Sequence, residues 1–311
     1  MEGIIVSMTT TPHRIVKLKV VIESLLNQTV VPDHILVHLP DVFERDESTY
    51  PSMVALPDWL LPFVHRYKKD MGPITKLHPS IVMASKSVNT LIITVDDDIA
   101  YPPTLVEILT EYAKRWDCCV GAVGLEEKSM APVRQHGKEC SILEGWAGVC
   151  YHSRFFFPLD SWEEYVEDVT RDADARLSDD LTISLWLSAR RVQRKVVNTP
   201  SLNREIFYRK GVILPHGQEH DALHLGGGGK GNNILRYRKA AVRIKRGDIG
   251  RLKFQGESND GILSDHSQPS SRWAMIPQGH THFSWLHSGS RSPSGHTIFS
   301  WTGSIVGTLD M

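Results

Sequence analysis

The sequence predicts an α/β fold, a mostly parallel sheet with helices on both faces, spanning residues 1–244. Strand-like and helix-like segments alternate from the amino terminus to about residue 200. The most apolar of these segments, Leu91-Ile92-Ile93-Thr94-Val95, has the continuous character of a buried strand and ends directly in Asp96-Asp97-Asp98. At 311 residues, 41% of them hydrophobic and with a net charge of -1, the chain can build one large domain or two modest ones.

In chain order, Ile4 to Met8 reads as the first strand, followed by Thr9-Thr10-Thr11-Pro12. Thr11 is placed to cap the next helix, with Pro12 at its first position. Leu18, Val21, Ile22, Leu25 and Leu26 mark one face of that helix. His34 to Leu39 is a second strand, stopped by Pro40, and a polar loop then runs through Pro62. After Leu91–Val95 come a helix from Pro103 to Trp116 and a strand from Cys119 to Val123. Gly145 to Tyr151 reads as a strand, Asp180 to Arg190 as a helix, and Arg194 to Val197 as a last short strand.

From residue 245 to 311 the texture changes to Ser, Gly, His and Trp with little apolar periodicity. A near repeat, Gly279-His280-Thr281-His282-Phe283-Ser284-Trp285 and Gly295-His296-Thr297-Ile298-Phe299-Ser300-Trp301, is too short a series for a solenoid. This stretch reads as a poorly ordered tail without chemistry.

The near-neutral charge supplies no global field for nucleic acid or an anionic membrane, so an anionic substrate needs local cations or a metal. No apolar run reaches the ~18 residues of a membrane span. No basic leader precedes Gly3-Ile4-Ile5, so the chain is expected to be cytoplasmic or the catalytic piece of something longer. Cys118, Cys119, Cys140 and Cys150 fit neither a zinc spacing nor a disulfide framework and read as reduced, buried thiols.

Ligands of open parallel sheets sit beyond the carboxyl ends of the strands, where the aspartate triplet stands. If strand geometry persists, Asp96 and Asp98 share one side and offer hard oxygens suited to Mg²⁺ or Mn²⁺. The same residues would also serve as a turn and cap before the helix that Pro102-Pro103 opens. Asp179-Asp180 opens another helix and can place a general base, or simply favour its first turn. Glu144-Gly145-Trp146-Ala147-Gly148 sets an acid beside small residues and a Trp that can stack on a sugar or fill a core. Lys76, in Gly72-Pro73-Ile74-Thr75-Lys76, is one cation available to a phosphate. His216, His220 or His224 could complete a metal shell.

Taken together, several motifs resemble the GT-A glycosyltransferases, and more closely a small group of family-2-like enzymes that includes viral and algal members. They are Ile5-Val6-Ser7-Met8-Thr9-Thr10-Thr11-Pro12-His13-Arg14, Ser24-Leu25-Leu26-Asn27-Gln28-Thr29, Gly72-Pro73-Ile74-Thr75-Lys76-Leu77, Val95-Asp96-Asp97-Asp98, Gly145-Trp146-Ala147-Gly148 and Ser178-Asp179-Asp180. The resemblance runs from about residue 3 to about 240. It implies a UDP- or GDP-sugar donor with Thr9 and Arg14 near the nucleotide, Asp96 near the ribose or metal, and Asp98 on the metal. Asp180 or Asp179 would be the base of an inverting transfer to a glycan or other hydroxyl. Lys76, Asp97 and Trp146 complete the expected donor site, with His216 as a further metal ligand. Many members carry an acid soon after the second strand to hold the base; here the candidate is Asp41, and the donor stays open.

Two related enzyme classes fit less well. A nucleotidyltransferase usually needs a Gly-rich loop after the first strand, where this chain has Thr9-Thr10-Thr11-Pro12. A haloacid-type phosphatase needs an aspartate where Ser7 and Met8 stand. Gly226 to Gly231 resembles a phosphate loop, yet no Ser or Thr follows Lys230. A catalytically silent binding protein on the same scaffold is the alternative of another class.

Overall fold

The computed structural model describes residues 3–86, 89–207, 212–218 and 233–252, with three short strands beyond them. Seven strands form the central sheet: β1 (Ile4–Thr9), β2 (His34–Leu39), β3 (Val64–Arg66), β4 (Leu91–Thr94), β5 (Cys119–Gly121), β6 (Val149–His152) and β7 (Arg194–Val196). Their order is β7-β5-β6-β4-β1-β2-β3. All neighbours are parallel except β6, which runs antiparallel to both β4 and β5. The fold class expected from the sequence is therefore present, with one reversed strand inside the sheet.

Eight helices accompany it among the described residues: α1 (Lys19–Leu26), α2 (His78–Met83), α3 (Leu105–Trp116), α4 (Leu159–Arg171), α5 (Ala173–Arg176), α6 (Asp179–Ala189), α7 (Pro200–Phe207) and α8 (Asn233–Arg246). The two-residue period of the strands divides them between the two faces. Val6 and Met8 of β1, with Leu91 and Ile93 of β4, pack against α1 and α3. Ile5 and Ile92 point the other way, into a core built with α2, α4, α6 and α8. Trp162, Tyr165 and Trp186 fill the centre of that second core, Trp162 and Trp186 meeting edge to face at 5.0 Å.

Several local readings need correction. Thr11 occupies the cap position with an extended backbone, but its hydroxyl makes no cap bond, and Pro12–Leu18 is a 3-10 segment leading into α1. Gly145–Ala147 is also 3-10, so the expected strand begins only at Val149. The loop after β2 carries a small hairpin, Val42–Phe43 with Ser48–Thr49. The expected domain limit at residue 244 falls inside α8, where Ile244 is fully buried.

Of the tail, Ser284–Trp285, Ile298–Ser300 and Ile305–Val306 pair as a small antiparallel sheet. Residues 245–252 finish α8 and pack Ile249 and Leu252 on the second core, against the expectation of poor order, and the rest of the tail lies outside the described residues. All four cysteines are free and buried, as their spacing suggested. No described helix is long and apolar enough to cross a membrane.

Candidate functional site

The aspartate triplet leaves β4 at its carboxyl end, in the middle of the sheet. The strand stops at Thr94, and Asp97 and Asp98 lie in a turn. The strand ends before the triplet, so its carboxylates are placed by a turn and not by strand alternation. Asp96 turns toward Lys76, whose Nζ lies 2.8 Å from its Oδ1. Asp97 and Asp98 turn toward Arg14, with Nη1 at 3.1 Å from Asp97 Oδ1 and 3.8 Å from Asp98 Oδ2. The Thr10 hydroxyl donates to the other oxygen of Asp97 at 2.6 Å.

Lys76 joins two halves of the site. Its Nζ also lies 3.0 Å from Asp179 Oδ2 at the start of α6, in an ion-pair contact without hydrogen-bond alignment. Burial opposes charge on this lysine, yet Asp179, Asp96 and Asp180 together push it well above the ordinary lysine value. The turn that delivers it is built tightly. Asp70 accepts from the main-chain N–H of Gly72 at 2.7 Å and from Arg176 at 3.2 Å. Gly72 has φ 72°, and a Cβ there would stand 2.8 Å from Arg176 O. From below, the Ser7 hydroxyl donates to the Lys76 carbonyl. Ser7 is itself within 3.0 Å of buried His38, which burial, His65 and His78 push down to about 3 and so keep neutral.

Asp180 follows Asp179 in the first turn of α6. Its Oδ1 accepts from Gly145 N–H at 2.9 Å, and its Oδ2 lies 3.5 Å from the Tyr237 hydroxyl of α8. Burial, then Asp179 and Glu144, push the Asp180 carboxyl well above the usual range, against the pull of Lys76. Glu144 is raised to about 7 by burial. Gly145 has no side chain for a reason of space: a Cβ would meet Lys76 Nζ at 2.8 Å and Asp180 Oδ1 at 3.0 Å. Gly145→Ala is accordingly expected to cost about 1–3 kcal/mol through overpacking, seen as a lowered thermal midpoint. An unchanged midpoint would mean that Lys76 can leave its place freely.

The remaining predicted residues divide clearly. His216 is buried, and its Nε2 donates to the Asp97 carbonyl at 2.8 Å, which leaves the Nδ1 lone pair for a ligand. The strand bridge between Ile99 and Ile213, and the Leu214 N–H donating to Asp98 O at 2.7 Å, hold this segment beside the triplet. Trp146 is only 8% exposed and packs in the core. The Trp146 carbonyl joins the site. It accepts from Tyr101, whose hydroxyl receives the Asp96 N–H. Thr9 donates to the His38 carbonyl, and Asp41 is exposed; neither makes a described contact with the carboxylates. His220, His224 and the Gly226–Gly231 run lie outside the described residues.

Asp98 is pushed up to about 8 by burial and by the neighbouring Asp97 and Asp96, against Arg14. A buried carboxylate cluster in this condition favours a cation. Among the described residues no group of three or more His, Cys, Asp or Glu side chains forms a ready cage for a metal. A Mg²⁺-type site needs only one or two carboxylates, with substrate phosphates and water completing the shell. Asp96 and Asp98 offer carboxylates of that kind, and buried His216 stands beside them through its bond to the Asp97 carbonyl. Glu144, the acid of the Glu-Gly-Trp-Ala-Gly stretch, lies close enough to act on Asp180, and Tyr101 and Tyr237 are neighbours of these carboxylates that the sequence did not single out. No known protein family matches the chain, and no curated protein matches its sequence.

Proposed function

We propose that this chain is a glycosyltransferase of the GT-A type, moving a sugar from a UDP- or GDP-sugar to a hydroxyl acceptor with inversion. One observation carries the reading. Two sets of carboxylates meet at the carboxyl end of the central strand, one on β4 and one on α6, with a single lysine between them. A displacement at an anomeric carbon needs such a division, with one side for the leaving diphosphate and the other for the attacking hydroxyl.

Asp96, Asp98 and His216 would hold Mn²⁺ or Mg²⁺, which when bound neutralises charge on the departing diphosphate as a Lewis acid. Arg14 pairs with Asp97, lies 3.8 Å from Asp98 and adds a cation near the donor. Asp180 takes the proton of the acceptor hydroxyl as its oxygen bonds to the anomeric carbon, while the bond from that carbon to the diphosphate oxygen breaks. Its raised affinity for protons makes it a stronger base than a surface aspartate. Asp179 stays paired with Lys76 and fixes the first turn of α6.

The test is release of nucleoside diphosphate from a panel of UDP- and GDP-sugars, titrated with Mn²⁺, in wild type and Asp98→Ala. Metal-stimulated release is expected from at least one donor. Asp98→Ala should raise the Mn²⁺ needed for half-maximal release by at least about tenfold. No release and no donor binding across the panel would leave the carboxylates as a buried ion-pair cluster on a catalytically silent scaffold.

A further inference from the structure

We propose that Tyr237 of α8 is a positioning residue for Asp180, its hydroxyl donating to the carboxylate oxygen that Gly145 leaves free. The inference rests on the reading of Asp180 as the base. Of the two Asp180 oxygens, Oδ1 is taken by the Gly145 N–H at 2.9 Å, and Oδ2 faces the Tyr237 hydroxyl at 3.5 Å, at the outer limit of a hydrogen bond.

Tyr237 is built into this place. Along α8, Tyr237, Ala240, Ala241 and Ile244 form one helical stripe packed against the second core. Arg243 then clamps the helix onto the neighbouring one, donating to Asp172 at 2.7 Å and Asp174 at 2.8 Å. Asp172 in turn accepts from the first N–H groups of α5. Further along the chain, Gly250 packs so closely on Tyr165 that a Cβ there would stand 2.6 Å from the ring. A phenol carried into a core on such a fixed element needs a polar partner, and a carboxylate is a strong acceptor.

The groups facing Asp180 come from every element around it. They are Asp179 on its own helix, Lys76 from the turn before α2, Glu144 before the 3-10 segment and Asp96 after β4. Tyr151 of β6 and Tyr237 of α8 complete the shell, with Arg236 facing Asp179. Lys76 is committed to Asp96 and Asp179. The described donors that reach the Asp180 carboxylate are the Gly145 N–H and the Tyr237 hydroxyl. Each stabilises its ionised form, so losing the hydroxyl should raise the pH at which Asp180 ionises.

The experiment is Tyr237→Phe, which keeps the ring and removes one oxygen, followed by two readouts. The first is the Gly145 amide in a ¹⁵N NMR pH titration, since that N–H donates to Asp180. Asp180→Asn serves as the control in which the titration disappears. The Phe variant should move the Gly145 midpoint upward by roughly one pH unit. The second is turnover of the donor found active in the panel. There kcat should fall by about tenfold near neutral pH with the donor KM unchanged, and the acid limb should shift upward by the same amount. A Gly145 midpoint that stays where it is in the Phe variant overturns the proposal, whatever happens to thermal stability. A midpoint that moves in a protein turning over no nucleotide-sugar supports the contact and sinks the transferase reading instead.

Discussion

Lys76→Met is expected to destabilise the protein by about 3–5 kcal/mol at pH 7, because it strips the cation from a buried carboxylate pair while keeping the side-chain volume. The side chain of Lys76 is 7% exposed and that of Asp179 8%, so little water can replace the lost ammonium there. Asp96 is a third exposed, and its share of the loss is screened. The cost should depend on pH in a definite direction. Without Lys76, the pull that opposes burial and Asp179 at the Asp180 carboxyl is gone, so it titrates at still higher pH values and the folded variant binds protons more readily than the unfolded chain. Its stability is then lost as pH rises through those values and regained below them, and the gap from wild type should narrow toward pH 5. Urea midpoints at pH 5 and pH 7 measure this. A variant equally stable at both values, within about 1 kcal/mol of wild type, would show that Asp179 needs no counterion.

The legibility of this protein follows the range of the interactions involved. β1, β2 and β4 announce themselves through local apolar runs, and α3 through its period of three to four residues. The amphipathic run Trp162, Tyr165, Val166, Val169 of α4 carries the same kind of signal and was equally readable. The triplet was visible as chemistry because three acids directly after a buried strand are hard to explain by packing. Its division, with Asp96 to Lys76 and the other two to Arg14, was not visible. That depends on the strand ending at Thr94 and on which partners the turn meets, 20 residues away for Lys76 and 83 for Arg14 with Asp97. Trp146 could be read as a stacking ring or as core, and only its 8% exposure decides for core. Tyr237 carried no sequence signal at all. It lies 57 residues from Asp180, in a helix whose composition is basic and ordinary, and only the packing of α8 on α5 and α6 brings it there.

Lys76 also explains why two adjacent aspartates take different roles. Asp179 and Asp180 are equivalent in sequence, both in the first turn of α6, and both suit a helix amino terminus. Their partners separate them. Asp179 meets an ammonium at 3.0 Å, which keeps it occupied. Asp180 takes its described hydrogen bonds from neutral donors, the Gly145 N–H and the Tyr237 hydroxyl, and burial raises its affinity for a proton against the pull of Lys76. A group meant to receive a proton during each turnover belongs in the second setting.

Asp180→Asn should therefore lower kcat by about 10³-fold, within the ~10²–10⁴ range of general-base catalysis, while the protein stays folded. Asparagine keeps the shape, and its carbonyl oxygen can still accept from Gly145. Donor KM should change little, because the group lies on the α6 side of Lys76 and not on the β4 side. The pH profile separates a base from a mere packing group. In wild type the rate should fall as pH drops through the Asp180 carboxyl, whose limb lies above the ordinary carboxylate range because burial and Asp179 hold it up. In the Asn variant that limb should vanish and leave a low rate that no longer depends on Asp180 ionisation. Asp179→Asn is the matched comparison: it takes away one of the two carboxylate partners of Lys76 and should lower stability, while a limb that belongs to Asp180 remains. If Asp180→Asn keeps kcat within tenfold of wild type while Asp179→Asn removes the limb, the proton goes to Asp179, and the ion pair with Lys76 must open in every catalytic cycle.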